Sequence, residues 1–156
     1  MNISKKNPKN ILLIVKYPDP ILRQKAKKIK NPLAEEVQTL IPLMIETMRQ
    51  NQGVGLAAPQ IGKSLQLFVV DKENGQATYV FINPKITACS REKNKEVEGC
   101  LSIPNKILPV ERYETITVRY LNEKGEKSKL KARGFLARAI QHELDHLNGI
   151  LILDHQ

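Results

Sequence analysis

Residues 135–148 run for fourteen positions without glycine or proline, bounded by Gly134 and Gly149. This segment constrains the fold more than any other. A stretch of that length with a glycine just past its end, placed to take the left-handed conformation, reads as a helix of about four turns. Phe135, Ala139, His142 and His146 recur at intervals of four, three and four, and Leu136, Ile140, Leu144 and Leu147 form an adjacent stripe. The helix therefore has a wide apolar face, which must be covered by other elements, and that face carries two imidazoles.

His142, Glu143 and His146 make the pattern H-E-x-x-H. One helical turn brings two ring nitrogens close enough to share a tetrahedral metal ion, and Glu143 stands beside them to handle the proton of a bound water. Three fixed positions also arise by chance. Here they sit on an apolar face, where two histidines and a glutamate are costly to bury without partners. A hydrolytic site of this kind needs a third protein ligand. The zinc-protease pattern that continues x-x-G-x-x-H matches at Gly149 but has Ile152 where the histidine belongs, and after His146 only Asp154 and His155 remain as downstream donors. The third ligand is therefore sought upstream. Cys100 in Glu98-Gly99-Cys100-Leu101-Ser102, at what reads as a strand end, is the natural candidate. Cys89, between Ala88 and Ser90, reads instead as a small buried or semi-exposed thiol.

Charge gives a different first impression. The 156 residues carry a formal +9, which suggests a polyanionic partner. Residues 1–30 hold nine basic side chains against Asp19 alone, whereas the other 126 residues hold 16 basic and 15 acidic groups. The excess thus belongs to a basic N-terminal segment, read either as a solvated face or as a docking surface for RNA. The length argues for a single domain over 1–156, and a hydrophobic fraction of 41% with 26% charged residues excludes disordered and disulfide-scaffold classes. The apolar stretch Ile11–Val15 is too short for a signal-peptide core or a membrane span. Two cysteines without such a signal fit a reducing, cytoplasmic location.

Elsewhere Val37, Leu40, Ile41, Met44, Ile45 and Met48 predict a helix that Pro42 kinks or restarts, ending before Asn51 and Gly53. Strands are expected over 65–70, 79–82, around Val97, over 115–121 and over 127–132, with a hairpin turn at Asn122–Gly125. The segment Gly53–Gln60 reads as a loop whose glycines allow close substrate approach. It lacks the lysine and the strand-to-helix setting of a phosphate-binding loop. The expected class is α+β, with antiparallel strands packed around the central metal-bearing helix.

Three blocks, Gly53-Val54-Gly55-Leu56-Ala57-Ala58-Pro59-Gln60, Glu98-Gly99-Cys100-Leu101-Ser102 and Gln141-His142-Glu143-Leu144-Asp145-His146, together resemble the peptide deformylase family, as does Tyr17–Arg23. The resemblance spans about residues 11–153. It implies removal of the formyl group from N-formylmethionine on new polypeptides. It also implies a divalent metal held by Cys100, His142 and His146, typically Fe²⁺, with Zn²⁺, Ni²⁺ or Co²⁺ able to substitute. Glu143 would move the proton, and the Gln60 amide and the Leu101 N–H would donate to the formyl oxygen. Gly55 and Gly99 would hold the peptide as an added strand, and Val54, Phe135 and Ala139 match the family's methionine pocket. The partners implied are N-formylmethionyl peptides and, through residues 1–30, the ribosome surface, with no membrane and no sequence-specific nucleic-acid binding.

Three departures from the family pattern stand out. Glu96 replaces a commonly apolar residue and is read either at the pocket rim or turned to solvent. Asn105–Pro109 is read as a short loop lacking an arginine that several relatives place there. The sequence ends at Gln156 without the C-terminal helix by which many relatives dock on ribosomes. Glu98 is expected to be a structural acid held by a basic or backbone partner.

Overall fold

Central strands buried on both faces organise the molecule. A computed structural model describes residues 11–156; Lys5, Lys6 and Lys9 of the expected docking segment lie outside them. In chain order the elements are α1 (Glu35–Gln50), β1 (Gly55–Ala57), β2 (Leu67–Asp71), β3 (Thr78–Cys89), β4 (Lys93–Cys100), β5 (Ile103–Tyr113), β6 (Thr115–Leu121), β7 (Lys127–Arg133) and α2 (Gly134–Leu147). Five strands form an antiparallel sheet of order β1-β2-β3-β6-β7, and β4 and β5 form a separate antiparallel pair. The fold is α+β.

On β2, Phe68 and Val70 point to one side and join Phe81, Ile116, Val118 and Ala132 against Ala137, Ile140 and Leu147 of α2. Leu67 and Val69 point to the other side and join Val80 and Ile82 against Val37, Leu40, Ile41, Met44 and Met48 of α1. The period of two in the strands thus serves two helices, one on each side of the sheet. A third cluster, Leu22, Ile103, Val110, Leu151 and Ile152, secures β5 to the chain ends.

Helix α2 is bounded as its glycines predict. Gly134 has φ 63° and Gly149 φ 72°. A Cβ on Gly149 would also lie 2.4 Å from the Arg23 carbonyl oxygen, so backbone passes where only glycine fits. Helix α1 is continuous through Pro42, so the helix does not restart there. Pro42 is exposed while the opposite face packs on the sheet, and that packing offsets the one lost backbone bond.

Other expectations are corrected. Residues 105–109 are not a loop but the middle of the eleven-residue β5. Pro104 and Pro109 hide this strand in the sequence; they are tolerated because β5 pairs only with β4 and leaves its other edge free. Strand β3 runs on from the expected 79–82 to Cys89, through shifts in register between Ile82 and Lys85 and between Ile86 and Ala88. Cys89, expected to be buried or semi-exposed, is exposed at the last position of that strand, beyond both register shifts. The expected loop 53–60 contains β1 and a 3₁₀ turn, Ala58–Ile61.

Candidate active site

A cleft of about 560 Å³ opens between β1 and β4, with α2 as its floor. Both flanking strands are edges, since among the described residues β1 pairs only with β2, and β4 only with β5. Val54, Gly55, Gln60, Gly99, Cys100, Leu101, Phe135, Ala139, His142 and Glu143 all line it. His146 lies deeper, 1% exposed. The sulfur of Cys100 and one nitrogen each of His142 and His146 lie within 4.8 Å of one another. Cys100 Sγ is 3.4 Å from His146 Nε2. The helix supplies two donors one turn apart, and the end of β4, beside the irregularity between Glu98 and Cys100, supplies the third.

Beneath these donors lies a charge network. Glu98 accepts hydrogen bonds from Arg112 Nε at 3.0 Å, Arg112 Nη2 at 2.9 Å and Arg138 Nη1 at 2.6 Å. It also meets His142 Nδ1 at 2.9 Å, which leaves Nε2 of that ring for the cleft. Arg112 continues to Asp145 at 2.6 Å, and Arg138 donates to the carbonyl oxygens of Val110 and Asn94. Burial would raise the Glu98 pKa, but the bonds from His142 and Arg112 outweigh it and hold the carboxyl well below the usual range. Buried charges persist only when paired this fully.

The same surroundings split the two imidazoles. For His142, burial favours the neutral ring, but Cys100, Glu98 and the charge of Glu143 prevail and push its pKa up to about 10. His146, buried and facing the positive charges of His142 and Arg112, is held well below its ordinary value. Burial, supported by the charges of Glu98 and Asp145, pushes Glu143 up to about 7. The cluster thus calls for a positive charge between a thiol, a carboxylate-backed imidazole and a neutral imidazole. A divalent cation fits that donor set by its chemistry, taking the place of the His142 proton. Glu143 Oε2 is buried without a hydrogen-bond partner among the described residues, as a group beside a further occupant of the site would be; His146 Nδ1, on the side of the ring away from Cys100, is also buried without one.

Gln60 is 1% exposed. Its Oε1 accepts the Ala57 N–H at 2.9 Å, which turns Nε2 toward Ser102 Oγ at 3.1 Å and Cys100 Sγ at 3.8 Å. Residues 15–17 tie down both motifs. Val15 N–H donates to the Gln60 carbonyl at 2.7 Å, Lys16 Nζ to the Leu101 carbonyl at 2.8 Å and Tyr17 N–H to the Ser102 carbonyl at 2.8 Å. At Gly55 a Cβ would lie 2.5 Å from Glu143 Oε1, so this glycine lets β1 pass against the carboxylate. Glu96 meets both expectations in part: it lines the cleft, yet its side chain is 63% exposed and only 3.8 Å from Arg138 Nε.

Arg112, Arg138, Asp145 and Ser102 were not singled out from the sequence. Arg138 carried a usable signal, an arginine four residues before His142 on the same helical face. Arg112 carried none, since it reaches Glu98 across the β4–β5 pair.

An α+β frame holding a Cys/His/His cluster against the glutamate of an H-E-x-x-H helix defines a class of hydrolase-like sites. The polypeptide deformylase family model matches residues 11–156, and this chain belongs to that family. It is 47% identical over 138 residues to peptide deformylase 1 of Clostridium perfringens, covering 88% of this chain and 92% of that one. It is 49% identical over 144 residues to a peptide deformylase of Dictyoglomus turgidum, covering 92% of each. The crystal structure of a peptide deformylase from Thermotoga maritima superposes with a TM-score of 0.88 at 42% identity, covering 93% of this chain and 97% of that one. No helix among the described residues is long and apolar enough to cross a membrane.

Proposed function

We propose that this chain, as one catalytic domain, hydrolyses the formyl amide of N-formylmethionyl peptides, releasing formate and a free amino terminus. One observation carries the reading: the cleft brings Glu143, the Cys100/His142/His146 donors and the Gln60 amide to one place between two free strand edges. Family membership supports it. Cys100, His142 and His146 would hold one divalent ion, and Fe²⁺, or Zn²⁺, Ni²⁺ or Co²⁺ in its stead, suits a mixed thiolate and imidazole set. Such an ion supplies Lewis-acid activation of water and of the formyl carbonyl.

The remaining steps fall to the protein. Glu143 accepts a proton from the attacking water and delivers it to the departing nitrogen as the formyl C–N bond breaks. An amide nitrogen leaves poorly unless protonated, so both halves of that transfer are needed. Charge on the formyl oxygen is met by Gln60 Nε2 and by the Leu101 N–H, which Lys16 steadies from the carbonyl side of the same residue. The substrate backbone pairs in extended form with the edges near Gly55 and Gly99. The methionine side chain lies against Val54, Phe135 and Ala139; Val54 and Phe135 are large apolar side chains left exposed at 49% and 58%, as are Val97 and Ile107 on the opposite rim. Its setting is cytoplasmic, where formylated chains are made.

Purified protein is to be assayed for formate release from formyl-Met-Ala and for cleavage of an internally blocked, unformylated peptide. Hydrolysis of the first alone is expected. Cleavage of the second alone would make the chain a peptidase and end this reading.

A further inference from the structure

Net charge counted along the sequence hides where cations converge in space. Helix α1 covers the β1-β2-β3 part of one sheet face, through Leu67, Val69, Val80 and Ile82, and its cluster reaches β6 at Leu121. Beyond it the same face continues over β3, β6 and β7, with no covering helix or strand among the described residues. On β7, Leu130 and Ala132 point to the α2 side, and strand alternation therefore sends Lys127, Lys129, Lys131 and Arg133 to the open side, where all four are exposed. Register places Arg119 opposite Lys129, and Lys85 opposite Arg119, so the row widens inward across two more strands.

Acids do not balance this face. Arg133 pairs with Glu114, but Lys85, Arg119, Lys127, Lys129 and Lys131 make no ion pair among the described residues. Lys85, Arg119, Lys127 and Lys129 line a groove of about 430 Å³ together with Asn83, Tyr120 and Leu121. The Asn83 amide exchanges hydrogen bonds with the Ile29 backbone at 2.9 and 2.8 Å. Lys28 and Lys30, on either side of Ile29, are exposed and stand one residue from this contact, although neither lines the groove. Two basic stretches far apart in sequence thus lie near one another.

We propose that the open β3-β6-β7 face, with Lys28 and Lys30, docks the phosphate backbone of RNA. Successive outward lysines on β7 stand about 6.8 Å apart, a spacing comparable to that of phosphates along a strand. A bilayer or a protein partner would be expected to meet apolar or aromatic anchors, and none of the exposed large apolar side chains lies on β3, β6 or β7. Lysines also keep an edge strand from pairing with another sheet, but that role needs neither Arg119 nor Lys85 on inner strands. The choice of RNA among polyphosphates rests on the deformylation reading, since formylated chains emerge from an RNA-rich particle. The placement of the charge does not.

The test uses the full chain and a fluorescently labelled, single-stranded RNA of mixed sequence, followed by anisotropy between about 50 and 200 mM salt. The triple variant Lys127→Gln/Lys129→Gln/Lys131→Gln should bind at least about tenfold more weakly, with its log–log salt slope smaller by about 2. A double variant away from this face, Lys63→Gln/Lys95→Gln, should match the wild type. Both should hydrolyse formyl-Met-Ala at the wild-type rate, which shows that they are folded. Unchanged affinity and slope in the triple variant would overturn the proposal, as would tighter binding to phosphatidylserine vesicles or to DNA of the same sequence. RNA binding lost in the triple variant while the wild type hydrolyses no formyl peptide would support the surface and sink the function.

Discussion

The floor and the rim of the cleft are built on opposite principles. On the floor, Glu98, Arg112, Arg138 and Glu143 are all buried, and the first three share a continuous set of hydrogen bonds that ends on His142. On the rim, Glu96, Val97, Ile107 and Phe135 are exposed, and the one ion pair there, Glu96 with Arg138, is long at 3.8 Å. Where charge is buried, every partner is specified and a change at one residue is felt by several. Where it is exposed, a residue can be exchanged at little cost to the fold, so specificity can vary while the chemistry is held constant.

The largest effect should come from Glu143→Gln, which keeps the shape of the floor and removes its proton carrier. Formate release is expected to fall about 10²- to 10⁴-fold with metal content unchanged. Near-normal turnover would take Glu143 out of the proton transfer. Next, Glu98→Ala leaves two arginines buried without their shared acid and should lower stability by about 3–5 kcal/mol in urea unfolding. A loss under about 1 kcal/mol would mean the network is no more demanding than a surface pair.

Gly55→Ala probes the seam between the two regions. The added methyl would meet Glu143 Oε1 at 2.5 Å, and displacing that carboxylate by about 1 Å should cost on the order of 10²-fold in turnover while leaving the fold intact by circular dichroism. Smallest of all, Glu96→Ile on the rim should leave kcat within about twofold and change KM for formyl-Met peptides by about tenfold or less. A large loss of kcat from this exposed position would erase the distinction drawn between floor and rim.

The sequence made the floor legible in part. Helix α2 announced itself through Gly134, Gly149 and the spacing of His142 and His146, all local signals. Cys100 stood out through its glycine neighbour. The arginines did not, because what defines them is contact across the fold: Arg112 lies 14 residues from Glu98, and Arg138 lies 40 from it. Strand β5 was hidden by two prolines that a strand with an unpaired edge tolerates, and the length of β3 was hidden by register shifts that no local pattern encodes. The charge of the chain was counted correctly but placed too simply. The N-terminal excess is real, yet the β7 lysines, balanced in the count by distant acids, are unbalanced in space.

On this reading the hydrolysis of formyl peptides depends on a single ion held by Cys100, His142 and His146. Elemental analysis of protein purified without oxygen tests it most directly, with wild type beside Cys100→Ala and His146→Ala. The expected result is about one equivalent of a divalent transition metal in the wild type and less than about 0.2 in either variant. A wild type without metal, or variants that retain it in full, would contradict the account.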